Sequence, residues 1–273
     1  MHTFNDKVAI VTGGASGIGR ALCEELARSG AVVVVADKNL DGANQTAALA
    51  VAAGGRATSA ALDVSDSEQV FGLVDRVVRE HGRLDFMFNN AGIGVGGEVR
   101  DIPLANWARI VEVNLNGVVY GSLAAYRFMV EQGSGHIVNT ASLAGLIPSP
   151  TLTPYSMTKH AVVGLSTSLR AEAAGLGVRV SVVCPAFINT GIYSASLISN
   201  ASAEDMVARV PFKMISADQA VRAILRGVLR NRSIIVFPFY GRILWRLYRL
   251  NPWLLAPLVR QTVTNFRTAR IEG

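Results

Sequence analysis

The sequence predicts an α/β fold of the doubly wound kind, a parallel sheet covered by helices on both faces. Three observations carry that expectation. Short β-rich runs alternate with helical stretches along the first 237 residues, the order that builds βαβ units. Most of these runs are continuously apolar and do not alternate, as strands buried on both faces must be. The first run also leads straight into a glycine-rich loop and then a helical pattern, an arrangement that offers backbone N–H groups to an anion.

Taken in order, strands are expected at 7–12 (KVAIVT), 31–36 (AVVVVA), 57–62, 85–89 (DFMFN), 136–140 (HIVNT), 178–184 (VRVSVVC) and 233–237 (SIIVF). Helical patterns fall between them at about 17–29, 40–53, 66–81, 103–131, 155–174 and 216–230. Right-handed crossovers put these helices on both faces of the sheet. No repeat or low-complexity linker interrupts the series. Residues 1–237 therefore read as one domain, and 238–273 as a C-terminal extension with its own character.

Composition agrees. With 273 residues, half of them hydrophobic and 17% charged, the chain has ample material for a core and lacks the signature of disorder. Two cysteines, Cys23 and Cys184, cannot make a disulfide framework and point to a reducing, cytoplasmic setting. The apolar run VAIV after Asp6 and Lys7 is too short for a signal peptide, and no 18-residue apolar run is present to span a bilayer. The net charge of +6 is lopsided. Residues 238–273 hold six arginines against Glu272, which is +5, and leave +1 for the rest. The basicity belongs to the extension, and with no recognition motif beside it nucleic-acid binding is not expected.

The glycine loop is Thr12-Gly13-Gly14-Ala15-Ser16-Gly17-Ile18-Gly19. Glycines there allow a sharp turn, close approach of backbone to a pyrophosphate, and tight packing of helix on strand. The spacing G-x3-G-x-G only approximates the commoner dinucleotide fingerprint. Asp37, 18 residues past Gly19, ends the second strand. A carboxylate there accepts hydrogen bonds from an adenosine ribose and repels a 2′-phosphate, which favours NAD over NADP. Lys38 beside it leaves NADP open.

Tyr155 and Lys159 stand four apart in a helical stretch and share a face;. A nearby ammonium favours the phenolate and is expected to lower a phenol pKa of about 10 towards the range useful for general acid–base catalysis. Alone the pair is a weak signal. Its context strengthens it: Ser142 follows HIVNT, Asn89-Asn90-Ala91-Gly92 closes the fourth strand, and Asn114 lies in the stretch 103–131. The carboxyl ends of strands in a doubly wound sheet converge on one crevice, and the glycine loop, NNAG, Ser142 and Pro185 all fall at such ends.

Over about residues 5–237 the chain resembles the short-chain dehydrogenase/reductase family. The likeness rests on TGGASGIG (12–19), Asp63-Val64, NNAG (89–92), Asn114, Ser142, YSMTK (155–159) and PAFINT (185–190). It implies a Rossmann fold, a nicotinamide cofactor and interconversion of an alcohol and a ketone by hydride transfer. Tyr155 would be the acid/base, Lys159 would lower its pKa and hold the nicotinamide ribose, Ser142 would bind the substrate oxygen, and Asn114 would help hold a relay water. On the cofactor side, Gly13, Ser16, Gly17, Ile18 and Gly19 form the phosphate loop. Asp37 would take the ribose, Asp63 and Val64 the adenine, Asn90 the adenosine side, and Ile188 with Thr190 the nicotinamide amide. The resemblance also implies a dimer or tetramer built through 103–131 and 155–174. Ala186 replaces the glycine that usually follows the proline of the sixth strand. His81, His136 and His160 lack metal-ligand spacing, so no metal is expected, and Cys184 is expected to be a small buried hydrophobe.

The segments flanking the site are apolar: Ile93-Gly94-Val95, Leu143 to Pro148, Phe187-Ile188, and a mobile lid at about 191–214 with Ile192, Tyr193, Leu197, Ile198 and Met206. No lysine or arginine stands there before Arg209, which points to a lipophilic secondary alcohol or ketone. The alternatives are an NADPH-dependent carbonyl reductase and a membrane-peripheral nucleotide sensor without turnover. In the extension, Arg242, Arg246 and Arg249 make one helical stripe among apolar residues. Peripheral membrane contact, cover for the substrate cleft, an inter-subunit contact and simple docking on the domain are all open from sequence.

Overall fold

Runs of β-branched residues and the capping signals between them set the elements. In a computed structural model, which describes residues 4–200 and 212–268, the strands are β1 (Val8–Thr12), β2 (Val32–Asp37), β3 (Arg56–Ala61), β4 (Phe86–Asn89), β5 (Val95–Gly96), β6 (Gly135–Thr140), β7 (Val178–Pro185), β8 (Ile188–Asn189), β9 (Leu197–Ile198), β10 (Ile215–Ser216) and β11 (Ile234–Phe237). The helices are α1 (Gly17–Arg28), α2 (Leu40–Ala52), α3 (Ser67–His81), α4 (Leu104–Val111), α5 (Gly117–Gln132), α6 (Thr153–Glu172), α7 (Ala217–Leu229), α8 (Phe239–Leu250) and α9 (Ala256–Thr268).

Seven strands form one parallel sheet in the order β11-β7-β6-β4-β1-β2-β3. Strand order reverses between β1 and β4, where helices leave to opposite faces and a crevice opens at the carboxyl ends. β1 is buried at all five positions. Its period of two sends Ala9 and Val11 to one core and Val8 and Ile10 to the other;. The first core is closed by α1, α2 and α7, through Leu22, Leu26, Ala43, Ile224 and Val228. The second is closed by α3 and α5, through Val70, Val74, Val77, Ala125 and Met129. β3 lies at the sheet edge and alternates exposed and covered residues.

Local chemistry fixes the ends. Asp66 caps α3 by accepting from the Gln69 N–H at 3.1 Å, and Gly82 ends that helix at φ 68°;. Ser216 and Gln219 form a reciprocal capping box on α7;.

The stretch expected to be helical over 103–131 is helical without a break, but not as one regular α-helix. α4 stops at Val111, a π-turn spans Glu112–Asn116, and α5 starts at Gly117. The extra residue in that turn lets the buried Asn114 side chain reach loop backbone;. The pattern of apolar residues is blind to such a bulge, because helical periodicity resumes on either side of it.

The extension is helical and rests on the domain. Leu244, Trp245, Tyr248, Leu255 and Val259 pack on a cluster containing Leu143, Ile147, Val182 and Val236. The buried Gly241 faces the Ala186 methyl, so the residue that departs from the family's glycine is covered by α8. No helix among the described residues is long and apolar enough to cross a membrane.

A buried polar chain runs beneath the crevice. Asn89 Nδ2 donates to Asn139 Oδ1 at 2.8 Å, Ser122 Oγ donates to the same oxygen at 3.3 Å, and Asn139 Nδ2 donates to Ser166 Oγ at 3.0 Å. These bonds tie β4, β6, α5 and α6 together. Asn139→Ala strands three buried partners, and chemical denaturation is expected to show a loss of about 2–4 kcal/mol with an unchanged m-value.

Candidate active site

One cavity of about 940 Å³ runs along the carboxyl ends of β1, β2, β4, β6 and β7. Gly13, Ser16, Gly17, Ile18, Asp37, Asp63, Val64, Asn90, Ser142, Tyr155, Lys159, Ile188 and Thr190 all line it. Of the residues expected from sequence, Gly19 and Asn114 lie behind this surface.

The glycines are required by contact. Gly13 has φ 68°, and a Cβ on it would come within 2.8 Å of the Ala91 Cα. A Cβ on Gly19 would fall 1.9 Å from the Gly13 carbonyl oxygen. Ser16 starts α1 in extended conformation, and its side chain caps none of the helix N–H groups. Those N–H groups and the helix dipole make the loop fit for a pyrophosphate.

Asp37 accepts from the Ala15 N–H at 3.0 Å and from the Asn39 N–H at 2.9 Å. It braces the loop as well as lining the cavity. Lys38, the residue that left the cofactor open, pairs with Asp63 at 2.5 Å. Hydrogen bonds from Lys38 and Ser65 hold Asp63 down at about 2. The amide of Asn90 is spent on the loop: Nδ2 donates to the Thr12 carbonyl at 3.1 Å, while the Asn90 and Ala91 N–H groups both donate to Thr12 Oγ1 at 3.0 Å. Asn90 thus positions the loop with the very groups expected to meet adenosine.

On the chemical side, Ser142 is a hydrogen-bond partner of the Tyr155 phenol. Its Oγ also contacts the Pro185 carbonyl at 3.4 Å. Lys159 is buried, donates to the Thr140 carbonyl at 2.9 Å, and lies 5.6 Å from the Tyr155 ring centroid. Asn114 bonds both backbone groups of Ile93, at 2.8 and 2.9 Å, and so fixes the strand after NNAG.

The expected depression of the Tyr155 pKa is not found. Burial raises it above its ordinary value, and the hydrogen bond with Ser142 opposes that only in part. Lys159 is itself drawn down to about 8 by burial. Desolvation outweighs the charge of the neighbour. Cys184, fully buried, is pushed up to about 12 by the same effect and is a neutral thiol. His136 is likewise neutral, lowered to about 3 by burial with its ring 2.9 Å from Ser181 Oγ. Among the described residues no group of three or more His, Cys, Asp or Glu could hold a metal.

Sequence reasoning missed several lining groups. Arg109 and Glu112 reach the cavity from α4 and the π-turn. Phe212 lines it too, stacked at 6.2 Å on Phe187, which the sequence placed beside the site, and at 4.5 Å on Tyr240 of α8. α9 contributes Leu258, Val259, Thr262 and Phe266 to the outer wall. Its end is tied down by Arg267, whose Nε donates to Glu98 at 2.8 Å. No local sequence signal announces contacts between segments so far apart. Of the expected lid, β9 pairs with β5, while Met206 and Arg209 lie outside the described residues.

The crevice at this switch point, the glycine loop and the Ser142–Tyr155–Lys159 cluster thus share one cavity. The chain belongs to the short chain dehydrogenase family, whose profile matches residues 7–201. It is 42% identical over 194 residues to a Mycobacterium tuberculosis protein described as probable oxidoreductase EphD, covering 71% of this chain and 33% of that one. The chain therefore spans about a third of the length of that relative. It is 34% identical to cyclohexanol dehydrogenase of Acinetobacter sp. (strain SE19), over 86% of this chain and 92% of the other. Among solved structures, a short chain dehydrogenase/reductase from Burkholderia phymatum in complex with NAD superposes with a TM-score of 0.85 at 31% identity, covering 93% of this chain and 96% of that one.

The Lys38–Asp63 pair yields a test of the cavity rim. In Lys38→Met the Asp63 titration, followed by NMR, is expected to rise from about 2 towards the ordinary 3.8. Asp63 is depressed in the fold, so its contribution to stability is present above about pH 4 and lost as pH falls towards 2;. That acid-sensitive part is expected to shrink in the variant.

Proposed function

We propose that this protein interconverts a lipophilic secondary alcohol and its ketone, with NAD as the preferred cofactor and NADP as the lesser one. The observation that carries the proposal is the meeting of Ser142, Tyr155 and Lys159 in a cavity whose substrate end is walled by Leu143, Ile147, Phe187, Leu258 and Phe266. The relative named for cyclohexanol fits an apolar cyclic alcohol of this kind.

A nicotinamide dinucleotide, when bound, supplies the hydride acceptor or donor and, oxidised, a positive charge in the same cavity. Gly13, Ser16, Gly17, Ile18 and the N-terminus of α1 would hold its phosphates, with Gly19 packing behind them. Asp37 would accept from the ribose, Asp63 and Val64 would border the adenine, and Ile188 with Thr190 the carboxamide. Lys38 is engaged by Asp63, which supports NAD by removing the nearest cation from a 2′-phosphate. Ser142 would donate to the substrate oxygen. Tyr155 would take the hydroxyl proton in oxidation and return it to the carbonyl oxygen in reduction. Lys159 would stabilise the phenolate so formed, and Asn114, by fixing Ile93, would shape the path of a proton relay.

The extension from Pro238 belongs to the same reading: residues 1–237 would carry the cofactor and the chemistry, and 238–273 would complete the substrate wall. Exposed Leu104, Leu123 and Met157 on α4, α5 and α6 support a homodimer or homotetramer through those helices.

Fluorescence titration with NADH and NADPH is expected to give tighter NADH binding, weakened or inverted in Asp37→Ala. Tighter NADPH binding by the wild type would overturn the cofactor assignment. Tyr155→Phe is expected to lower kcat by about 10²–10⁴-fold while cofactor binding stays unchanged. Burial keeps the phenol protonated at neutral pH, and Lys159 keeps its charge only below about 8. Ketone reduction is therefore expected to be level below pH 8 and to fall above it as the Lys159 ammonium is lost. In Lys159→Arg the alkaline fall moves higher.

A further inference from the structure

Helix α8 has two faces, and only the inner one is used by the fold. Leu244, Trp245 and Tyr248 point to the domain. The outer face carries Phe239, Ile243, Leu247 and Leu250, and the next turn adds Trp253 and Leu254. Phe239 is 69% exposed, Leu250 81% and Trp253 75%. At positions i, i+4, i+8 and i+11 the four helical residues form one stripe. Arg242, Arg246 and Arg249, all exposed, run along its flank. Between residues 238 and 268 there is not one acidic residue.

We infer that this outer face of α8, with Trp253 and Leu254, docks the protein on the surface of an anionic phospholipid bilayer. An apolar stripe edged by arginines is the composition of a helix lying in the interfacial plane: side chains enter the headgroup boundary and guanidinium groups meet phosphates and carboxylates. Trp253 adds a ring suited to the headgroup level. A helix of 12 residues lies on such a surface and does not span it. Charge argues against the rival occupant. A second copy packed two-fold on this stripe would bring two arginine rows together with no acid between residues 238 and 268 to pair them;. The extension also lines the cavity through Leu244, Leu255 and Leu258, so docking would set the substrate wall against the lipid phase.

The test is co-sedimentation of the full chain with vesicles of phosphatidylserine and phosphatidylcholine, against pure phosphatidylcholine. Binding is expected on the mixed vesicles, with loss on adding salt. Arg246→Glu/Arg249→Glu is expected to weaken it at least fivefold per arginine removed. Phe239→Ser/Leu250→Ser, at exposed positions, is expected to abolish it while the circular dichroism spectrum is kept. Quenching of fluorescence by brominated lipid is expected in the wild type and is lost in Trp253→Phe. No binding to mixed vesicles, or binding unmoved by these variants, overturns the inference. So does a wild-type oligomer that dissociates in Phe239→Ser/Leu250→Ser, since a second copy would then own the face. Vesicle binding is read without substrate or cofactor, so it stands or falls apart from the alcohol–ketone chemistry.

Discussion

Thr12 stands where the two halves of the sheet diverge, and its hydroxyl holds them in register. It accepts from the N–H groups of Asn90 and Ala91, just past β4, while its carbonyl accepts from the Asn90 amide. Three bonds thus cross the switch point at the place where the glycine loop must turn. Everything that lines the nucleotide end of the cavity is measured from this seam. Gly13 can approach Ala91 because it carries no side chain, and Gly19 can pack under the Gly13 carbonyl for the same reason. Below the seam, the Asn89–Asn139–Ser166 chain performs the same service for β4, β6 and α6. The helix that carries Tyr155 and Lys159 is therefore anchored to the strand that carries the cofactor loop's partner.

The chemical end of the cavity is governed by desolvation. Tyr155, Lys159 and Cys184 sit together in a dry place, and each is pushed towards its neutral form: the phenol and thiol upward, the ammonium downward. A protonated phenol beside an ammonium that survives only below about pH 8 makes a poor base and a good resting state. Any positive charge entering the cavity does more there than it would in water, because little solvent screens it. The pair is then switched by its company as much as by its own spacing.

Much of this was legible in the sequence. The seven main strands are where the sequence placed them, within a residue or so, and for all but the edge strand β3 burial on both faces leaves a continuous apolar run as the pattern. The residues of the glycine loop, Asp37, Ser142 and Tyr155 converge as their positions at strand ends required. What could not be read has a common cause. The π-turn at Asn114, the use of the Asn90 amide on Thr12, and the capture of Lys38 by Asp63 are choices among partners that the linear pattern leaves equivalent. The direction of the Tyr155 shift depended on weighing burial against a charge, and depth of burial is a property of the assembled layers. The outer wall from α9 stayed one open reading among several for a plainer reason: it is built by residues distant in sequence, and no periodicity connects them.

That distance has a consequence for how the molecule comes into being. Glu98 and Arg267 are 169 residues apart, yet their bond closes one side of the cavity. On the ribosome the glycine loop, Asp37 and the crossing at Thr12 can assemble once the first four strands have emerged. The wall opposite them waits until the residues around Arg267 have been made. A nascent chain would therefore own the glycine-loop cradle long before it owned a closed chamber.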